Sequence, residues 1–127
     1  MPTYDKNNIN ELRETLFNSY VHDAELENVE YNYKQGSIKI ILYNPIFNAK
    51  MDLTFNDIVT ALAIKGGWNG SRETIISLTA EEDFSYLQNY LHNYGEFIED
   101  SLYLLFQMFS GDELHIVSKK VVVETIR

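Results

Sequence analysis

The fold of this chain is constrained most by short runs in which apolar residues alternate with other side chains. Turn residues bound each of these runs. Ile38, Ile40 and Leu42 form such a run, which follows the turn sequence at 34–37 and ends at Asn44 and Pro45. Period-two runs predict β-strands, and short turns between them predict antiparallel hairpins. Further strands are predicted at 24–33, 51–55, 74–78, 98–109, 114–117 and 121–126.

The first of these strands shifts its phase part-way along. Leu26 and Val29 are three residues apart, whereas a regular strand repeats every two. A β-bulge near Glu27 would keep the apolar residues on both sides of the shift facing the core. These residues are Ala24, Leu26, Val29, Tyr31 and Tyr33.

Two other segments interrupt the strand pattern. Residues 57–65 fit a short helix capped by Asp57 before the glycine pair at 66–67, but their β-branched side chains also fit a strand. We expect an extended or turn-like continuation there. Lys119 and Lys120 are expected to interrupt the last strand.

Two helices are predicted to pack on this sheet. Over residues 8–20 the apolar side chains recur at spacings of three and four, and Asn8 with Glu11 resembles a capping box. The second helix starts at a capping box of Thr79 and Glu82 and ends before Gly95. The fold class is therefore α+β, a mostly antiparallel β-sheet with two packed α-helices, in one domain spanning 1–127. The predicted buried stripes are Ile9, Leu12, Leu16, Phe17 and Tyr20 in the first helix, and Phe84, Leu87, Leu91 and Tyr94 in the second.

Composition limits where such a protein functions. The chain has 127 residues, of which 45% are hydrophobic, and it contains no cysteine. Disulfides, thiolate metal sites and cysteine nucleophiles are therefore excluded. No segment is apolar for long enough to cross a bilayer, and the N-terminus lacks the apolar stretch of a secretory signal. We expect a cytoplasmic protein that does not associate with membranes.

The charge distribution indicates the kind of partner. The formal net charge is −9, and no lysine or arginine lies between Arg72 and Lys119. A second acidic segment without a basic residue runs from Asp23 to Glu30. Such surfaces repel phosphates, which argues against nucleic acid, and attract a basic protein partner.

Catalytic chemistry has few candidates. His22 directly precedes Asp23, and a histidine beside an acid is a candidate general base or metal ligand. Adjacent strand residues point to opposite faces, however, so a structural role at the start of the strand is favoured. His92 and His115 lack the spacing of a zinc site. We therefore assign no catalytic residue, metal or cofactor, and leave open a small hydrolase that uses His22 with Asp23 or Glu25.

Binding chemistry has better candidates. Tyrosines and acids are abundant, and the single tryptophan, Trp68, lies in the glycine-rich loop 66–70. Exposed aromatic side chains beside charged groups are typical of protein-binding surfaces. The candidate binding residues are His22, Asp23, Trp68, Glu81, Glu82, Asp83, Tyr86 and Tyr90.

Three short motifs resemble those of several small bacterial families. They are residues 19–31 (SYVHDAELENVEY), 53–58 (LTFNDI) and 110–116 (SGDELHI), the last followed by three valines. Some of these families are immunity proteins of polymorphic-toxin systems, and others are domains of unknown function. The resemblance implies a non-enzymatic protein whose acidic surface blocks a basic toxin.

The leading hypothesis is therefore a non-enzymatic protein-binding module of the immunity type. The hydrolase centred on His22 is one alternative. Another is a homodimeric structural or ligand-binding module, in which a second chain covers part of the apolar strand predicted at 98–109.

Overall fold

The computed structural model describes residues 2–17, 21–71, 73–88 and 100–126. They form seven β-strands and one α-helix, together with single 3-10 turns at Lys6–Asn8 and Ser85–Leu87. In chain order the elements are β1 (Thr3–Tyr4), α1 (Ile9–Leu16), β2 (Glu25–Asn32), β3 (Ser37–Asn44), β4 (Ala49–Ile64), β5 (Ile75–Glu81), β6 (Leu102–Met108) and β7 (Glu113–Ile126).

All seven strands belong to one antiparallel sheet. The strand order is β2-β3-β4-β7-β6-β5, and β1 pairs with β7 beside this path. One edge of β7 pairs with β4 along nearly its whole length. Its other edge pairs first with β6 and then, at Val121 and Val122, with β1. The strand β7 therefore lies at the centre of the sheet. Its pairings with β4, β6 and β1 are all antiparallel, which confirms the antiparallel sheet expected from the hairpins.

The two ends of the strand order meet over a short distance. The Asp23 amide donates to the Ile75 carbonyl at 3.0 Å, and the Ile75 amide donates to the Ala24 carbonyl at 2.8 Å. One step further, the Leu26 amide donates to the Glu73 carbonyl at 2.7 Å. These bonds join the start of β2 to the start of β5, so the sheet curls around one of its faces.

The concave face of the sheet holds the main hydrophobic core. Alternate residues of β3, β4, β5, β6 and β7 point into it because successive strand side chains lie on opposite faces. The helix α1 packs on the same core. Among the fully or nearly fully buried members are Leu12, Ile40, Leu53, Phe55, Ile75, Leu104, Phe106 and Ile116.

The phase shift in β2 is a bulge, as predicted. The register against β3 changes between Leu26 and Asn28, and Val29 and Tyr31 then lie opposite Ile40 and Ile38, which face the core. The expected burial of these β2 residues is nevertheless wrong. Val29 is 45% exposed and Tyr31 is 56% exposed, because β2 is the outer strand of the sheet and extends beyond the packed layer.

The two segments with ambiguous patterns are both continuous strand. β4 runs from Ala49 to Ile64, so the extended alternative for residues 57–65 is correct. β7 runs unbroken from Glu113 to Ile126, so the predicted interruption at Lys119 and Lys120 is wrong. Lys120 lies opposite Asn56 in the pairing of β4 with β7, and its side chain is exposed. A strand accommodates a lysine whose side chain points into solvent, so the two lysines do not interrupt β7.

The second predicted helix is not confirmed, and the fold class of a sheet with two packed helices is wrong for this reason. Thr79 belongs to β5, where its hydroxyl donates to Glu81 instead of capping a helix. The strand pairs with β6, and Ala80 and Leu78 face the core. Further along, residues 85–87 form only a 3-10 turn, and 89–99 lie outside the described residues. The described fold is a seven-stranded antiparallel sheet with one helical segment.

The first helix is shorter than predicted. Ile9, Leu12 and Leu16 are buried as expected, but Phe17 is 92% exposed and Tyr20 lies outside the described residues. Asn8 precedes the helix without capping it through its side chain. Its side-chain oxygen instead accepts from the Asp5 amide at 2.7 Å, as part of a capping box in the preceding 3-10 turn.

Strand β6 is apolar on both faces and central, as predicted, with β5 and β7 as its neighbours. Its convex face carries Tyr103 and Leu105. Leu87 and Phe84, which follow β5, cover these two residues and form with them part of a second, smaller hydrophobic cluster. The chain itself covers this face, so the apolar pattern does not require a second copy.

Candidate functional site

The outer strand β2 presents an acidic and aromatic surface. On the core side of the sheet it carries Val29 and Tyr31, and Tyr33 follows at the start of the turn, 84% exposed. The tyrosine rings contact each other with centroids 6.2 Å apart. Carboxylates flank these side chains along the same strand. We call this surface the β2 edge and define it as Glu25, Glu27, Val29, Glu30, Tyr31 and Tyr33.

Within the described residues, β3 pairs with one side of the β2 edge along its length, and the other side is paired only at the start of the strand. Its start is tied to residues 73–75, and Glu25 forms an isolated bridge with Thr74. From Glu27 to Asn32, no strand within the described ranges pairs with the side opposite β3. Unpaired edges of this kind can pair with another chain, which proteins usually prevent with charges and bulges. Both devices are present here, in the carboxylates and the bulge at Glu27.

His22 and Asp23 contact each other, contrary to the sequence-based expectation. Nδ1 of His22 lies 3.2 Å from Oδ2 of Asp23, and both side chains are about half exposed. The expectation failed because the two residues lie in a turn, where Asp23 has a φ of +67°, and not in a strand. The strand alternation that would separate their side chains therefore does not apply.

His22 lies at a groove of about 980 Å³ between the end of α1 and the side of β5 that faces away from β6. Apolar residues such as Val21 and Leu78 line most of it. Ser77 and Thr79 also line the groove, but their hydroxyls donate to Gln107 and Glu81 respectively. Neither hydroxyl is directed at His22, so among the described residues of the groove Ser77 and Thr79 do not form a nucleophile–base pair with His22.

The three predicted acids at 81–83 are involved in local contacts. Glu81 lines the same groove as His22 and accepts from the Thr79 hydroxyl. Glu82 forms an exposed ion pair with Arg13 at 3.5 Å. Asp83 accepts two hydrogen bonds from Ser85, from its hydroxyl and its amide, and these bonds hold the pKa of Asp83 below its usual value.

Tyr86 covers a row of hydrogen-bonded side chains, formed by Tyr103, His115 and Glu113, that the sequence did not reveal. Its ring stacks on His115 with centroids 5.1 Å apart and an interplanar angle of 12°. His115 is 1% exposed, and its two ring nitrogens contact Tyr103 and Glu113. The other predicted aromatic of this segment, Tyr90, lies outside the described residues.

The proton positions in this chain follow from its chemistry. Glu113 accepts from Nε2 of His115 at 2.9 Å, because a carboxylate has no proton to donate. Nδ1 contacts the Tyr103 hydroxyl at 2.5 Å, and in the tautomer that carries its proton on Nε2 the hydroxyl donates to Nδ1. Burial, followed by the charges of Glu81 and Glu113, raises the pKa of Tyr103 to about 12, so this hydroxyl keeps its proton. We name Tyr103, His115 and Glu113 the buried polar chain.

Strand alternation could have placed His115 and Tyr103 on the convex face separately. His115 does lie opposite Leu62 and Leu105, on the face away from Ile116, as its sequence position predicts. Its meeting with Tyr103 depends on the register of β6 against β7, which no local pattern specifies.

Trp68 lies at a different place, beside a cavity of about 260 Å³. It is 68% exposed, and its backbone amide donates to the Ser110 carbonyl at 2.9 Å. The backbone of Gly111 lies against the indole, in the turn between β6 and β7. Asp112 and Glu113 also line this cavity.

The described candidate residues therefore occupy three places. His22 and Glu81 lie at the groove with Asp23 and Glu82 nearby. Tyr86 covers the buried polar chain, with Asp83 close enough for its charge to act on Tyr103. Trp68 borders the smaller cavity. The β2 edge was missed as a site because its aromatic residues were expected in the core. Its acidic character was apparent from the sequence.

The described part of the chain contains no group of three or more histidine, aspartate or glutamate residues that could hold a metal ion. None of its helices is long and apolar enough to span a membrane.

No protein-family model matches this chain, and no curated protein matches its sequence. The immunity-type families that its motifs resemble therefore remain a prediction. Any proposal about function depends on the chemistry of the described surfaces.

Proposed function

We propose that this protein is a non-enzymatic protein-binding module that holds a basic, extended segment of a partner protein along the β2 edge. The observation that carries the proposal is an outer strand with exposed aromatic side chains and carboxylates, whose side opposite β3 pairs with no described strand from Glu27 to Asn32. A partner strand added to such an edge gains main-chain hydrogen bonds, and alternate side chains supply its specificity.

The exposed side chains supply the binding energy in this proposal. Tyr31 and Tyr33 offer large surfaces with few rotatable bonds, and their hydroxyls can stay hydrated in a complex. Val29 continues the same face toward the core. A partner side chain that covers these three residues would bury apolar surface that is now in contact with water.

The carboxylates determine which partner is accepted. Glu25, Glu27 and Glu30 lie on or beside the unpaired stretch, and β2 has no basic residue. Two copies of β2 placed edge to edge would bring these carboxylates together, so self-association is opposed. A partner strand that carries lysine or arginine would neutralise them and would be attracted from a distance.

The role implied by the family resemblance is a specific form of this function. An immunity protein binds a toxin and blocks it, and a basic toxin would match the charge of the β2 edge. The hydrolase alternative is not proposed. His22 does contact Asp23, but the two hydroxyls that the described residues place in the groove, those of Ser77 and Thr79, donate to other partners. The homodimer alternative is not proposed, since Leu87 and Phe84 cover the apolar face that suggested it.

The test is affinity capture from cells that co-express this protein with the products of its neighbouring genes. We expect capture of a basic protein, weakened by salt, since the screened charges mainly affect the association rate. Replacing a central tyrosine of an interface costs about 2 kcal/mol, or about thirtyfold in affinity. Tyr31→Ala should therefore weaken binding of the captured protein by about that factor, measured by calorimetry.

Matched substitutions elsewhere serve as controls. Phe47→Ala removes an exposed aromatic ring from the turn between β3 and β4, and Glu124→Gln removes a carboxylate from β7. Both should leave the affinity within a factor of two, whereas Glu30→Gln should lower it and reduce its salt dependence. Equal affinity of Tyr31→Ala and Phe47→Ala, or a captured partner that is acidic, would contradict the proposal.

A further inference from the structure

The cavity beside Trp68 combines an aromatic ring with carboxylates. Trp68 is largely exposed, and Glu113 and Asp112 line the same cavity of about 260 Å³. Gly66, Gly67 and Gly111 form part of its wall, so backbone replaces side chains there. A cavity of about 260 Å³ has room for one side chain of a partner.

The cavity is held in shape by contacts within the chain. A Cβ atom at Gly111 would lie 3.1 Å from the indole of Trp68, so the ring rests closely on that glycine. The amide of Gly66 donates to Oδ1 of Asp112 at 2.6 Å, which joins the two loops that form the cavity. The tryptophan loop is therefore fixed against the turn between β6 and β7.

Glu113 is held at this cavity by the buried polar chain. His115 donates to Oε1 of Glu113, and His115 is itself held by Tyr103 and stacked under Tyr86. The Glu113 side chain is 29% exposed and lines the cavity. A carboxylate that is oriented before binding loses less entropy when a cation binds to it.

We infer that this cavity seats the guanidinium group of an arginine side chain from a bound protein, with Trp68 against its flat face and Glu113 as its counter-charge. Guanidinium is planar, stacks on aromatic faces and donates two parallel hydrogen bonds to a carboxylate. Lysine offers a compact, strongly hydrated charge that uses the indole face less well. The inference extends the proposed function, since it names a second contact for the same basic partner.

The test uses the tryptophan as its reporter. The chain contains one tryptophan, so ¹⁵N-labelled protein has a single indole Nε1–H cross-peak. We expect Nα-acetyl-arginine amide to shift this peak saturably, with half-saturation in the millimolar range. The citrulline analogue has nearly the same shape but no charge, and it should not produce a saturable shift.

Variants then test the counter-charge. Glu113→Gln should raise the half-saturation concentration about three- to tenfold, whereas Glu124→Gln, which removes a carboxylate at the far end of the same strand, should leave it unchanged. Native dispersion of the other cross-peaks shows whether Glu113→Gln is folded. The citrulline comparison needs no variant, so the inference stays testable if this variant unfolds.

Two results would overturn the inference: an equal response to arginine and citrulline, or an unchanged response in folded Glu113→Gln protein. Its failure is distinguishable from failure of the proposed function. Capture of a basic partner through Tyr31, without any response of the Trp68 indole to arginine, would refute only the cavity. A saturable arginine response without any β2-dependent partner would support the cavity and refute only the β2 edge.

Discussion

Replacing Tyr103 with phenylalanine removes one hydroxyl from the buried polar chain and leaves the aromatic ring in place. Tyr103 is 2% exposed and His115 is 1% exposed, so water cannot replace the lost donor. Nδ1 of His115 is then left in the protein interior without the hydrogen bond that it now accepts. A buried polar atom left unsatisfied in this way costs about 1–3 kcal/mol.

The expected loss lies near the middle of that range. Phenylalanine also avoids the desolvation of the tyrosine hydroxyl, which offsets part of the cost. We therefore expect Tyr103→Phe to lower the free energy of unfolding by about 1.5 kcal/mol, or the melting temperature by about 5 °C for a chain of this size.

Urea unfolding at neutral pH, followed by circular dichroism, measures this loss. The matched control is Tyr43→Phe, because the Tyr43 hydroxyl donates to Asn48 at 3.0 Å in an exposed hydrogen bond. The control should cost less than about 0.5 kcal/mol, since water can take the place of an exposed partner. Equal losses for the two variants would contradict this prediction, because burial of the Tyr103–His115 hydrogen bond would then have no effect on the free energy of unfolding.

The raised pKa of Tyr103 predicts how the free energy of unfolding changes at high pH. The pKa of Tyr103 is about 12 in the folded protein and 10.0 in the unfolded chain, because burial raises it. A raised pKa gives stability that is fully present below pH 10 and is lost as the pH rises toward 12. At pH 11 wild type should have lost about 1 kcal/mol of its advantage over Tyr103→Phe, measured as the difference between their unfolding free energies. A constant difference from pH 9 to pH 11 would contradict this prediction.

Two further substitutions test contacts that hold the sheet and its loops. Arg13 donates from Nε and Nη2 to the Ala80 carbonyl at 3.1 and 2.9 Å. Arg13→Met should therefore lower the free energy of unfolding in urea by about 1–2 kcal/mol. Glu82→Gln removes only the exposed ion pair with Arg13 and should lower it by less than about 0.5 kcal/mol. Similar losses in both variants would assign the effect to the ion pair. Gly111 has a φ of +85° and lies against Trp68, so Gly111→Ala should cost about 1–2 kcal/mol and shift the tryptophan emission maximum. An unchanged emission maximum would mean that the indole does not rest on this glycine.

Much of the sheet could be predicted from local pattern. Strand alternation located β3 and the bulge in β2, and glycine marked the turn before β3, where Gly36 has a φ of +62°. These features depend on neighbouring residues, so the sequence contains the information that specifies them. The second helix was wrong because Thr79 and Glu82 satisfy a capping pattern that says nothing about pairing, and the β6 edge competes for the same residues.

The candidate sites depended more on tertiary structure. The acidic character of β2 was apparent in the sequence, but its exposure follows from its place as the outer strand. Likewise, Trp68 stood out as the single tryptophan, whereas its cavity required the turn at Gly111 to come from a distant part of the chain. Local sequence therefore suggested that β2 and Trp68 could bind a partner, but residues distant in sequence determine the exposure of β2 and form the cavity beside Trp68.

The sequence by itself determined the position of β3, the bulge in β2, the main turns and the net charge, because each depends on residue type and on near neighbours. Only the tertiary structure decided which strand lies outermost and which polar groups meet in the interior. The buried polar chain is the clearest case, since Tyr103 and His115 meet through the register of two paired strands. That register is set by packing of the whole core, in which every strand contributes to the free energy of the arrangement.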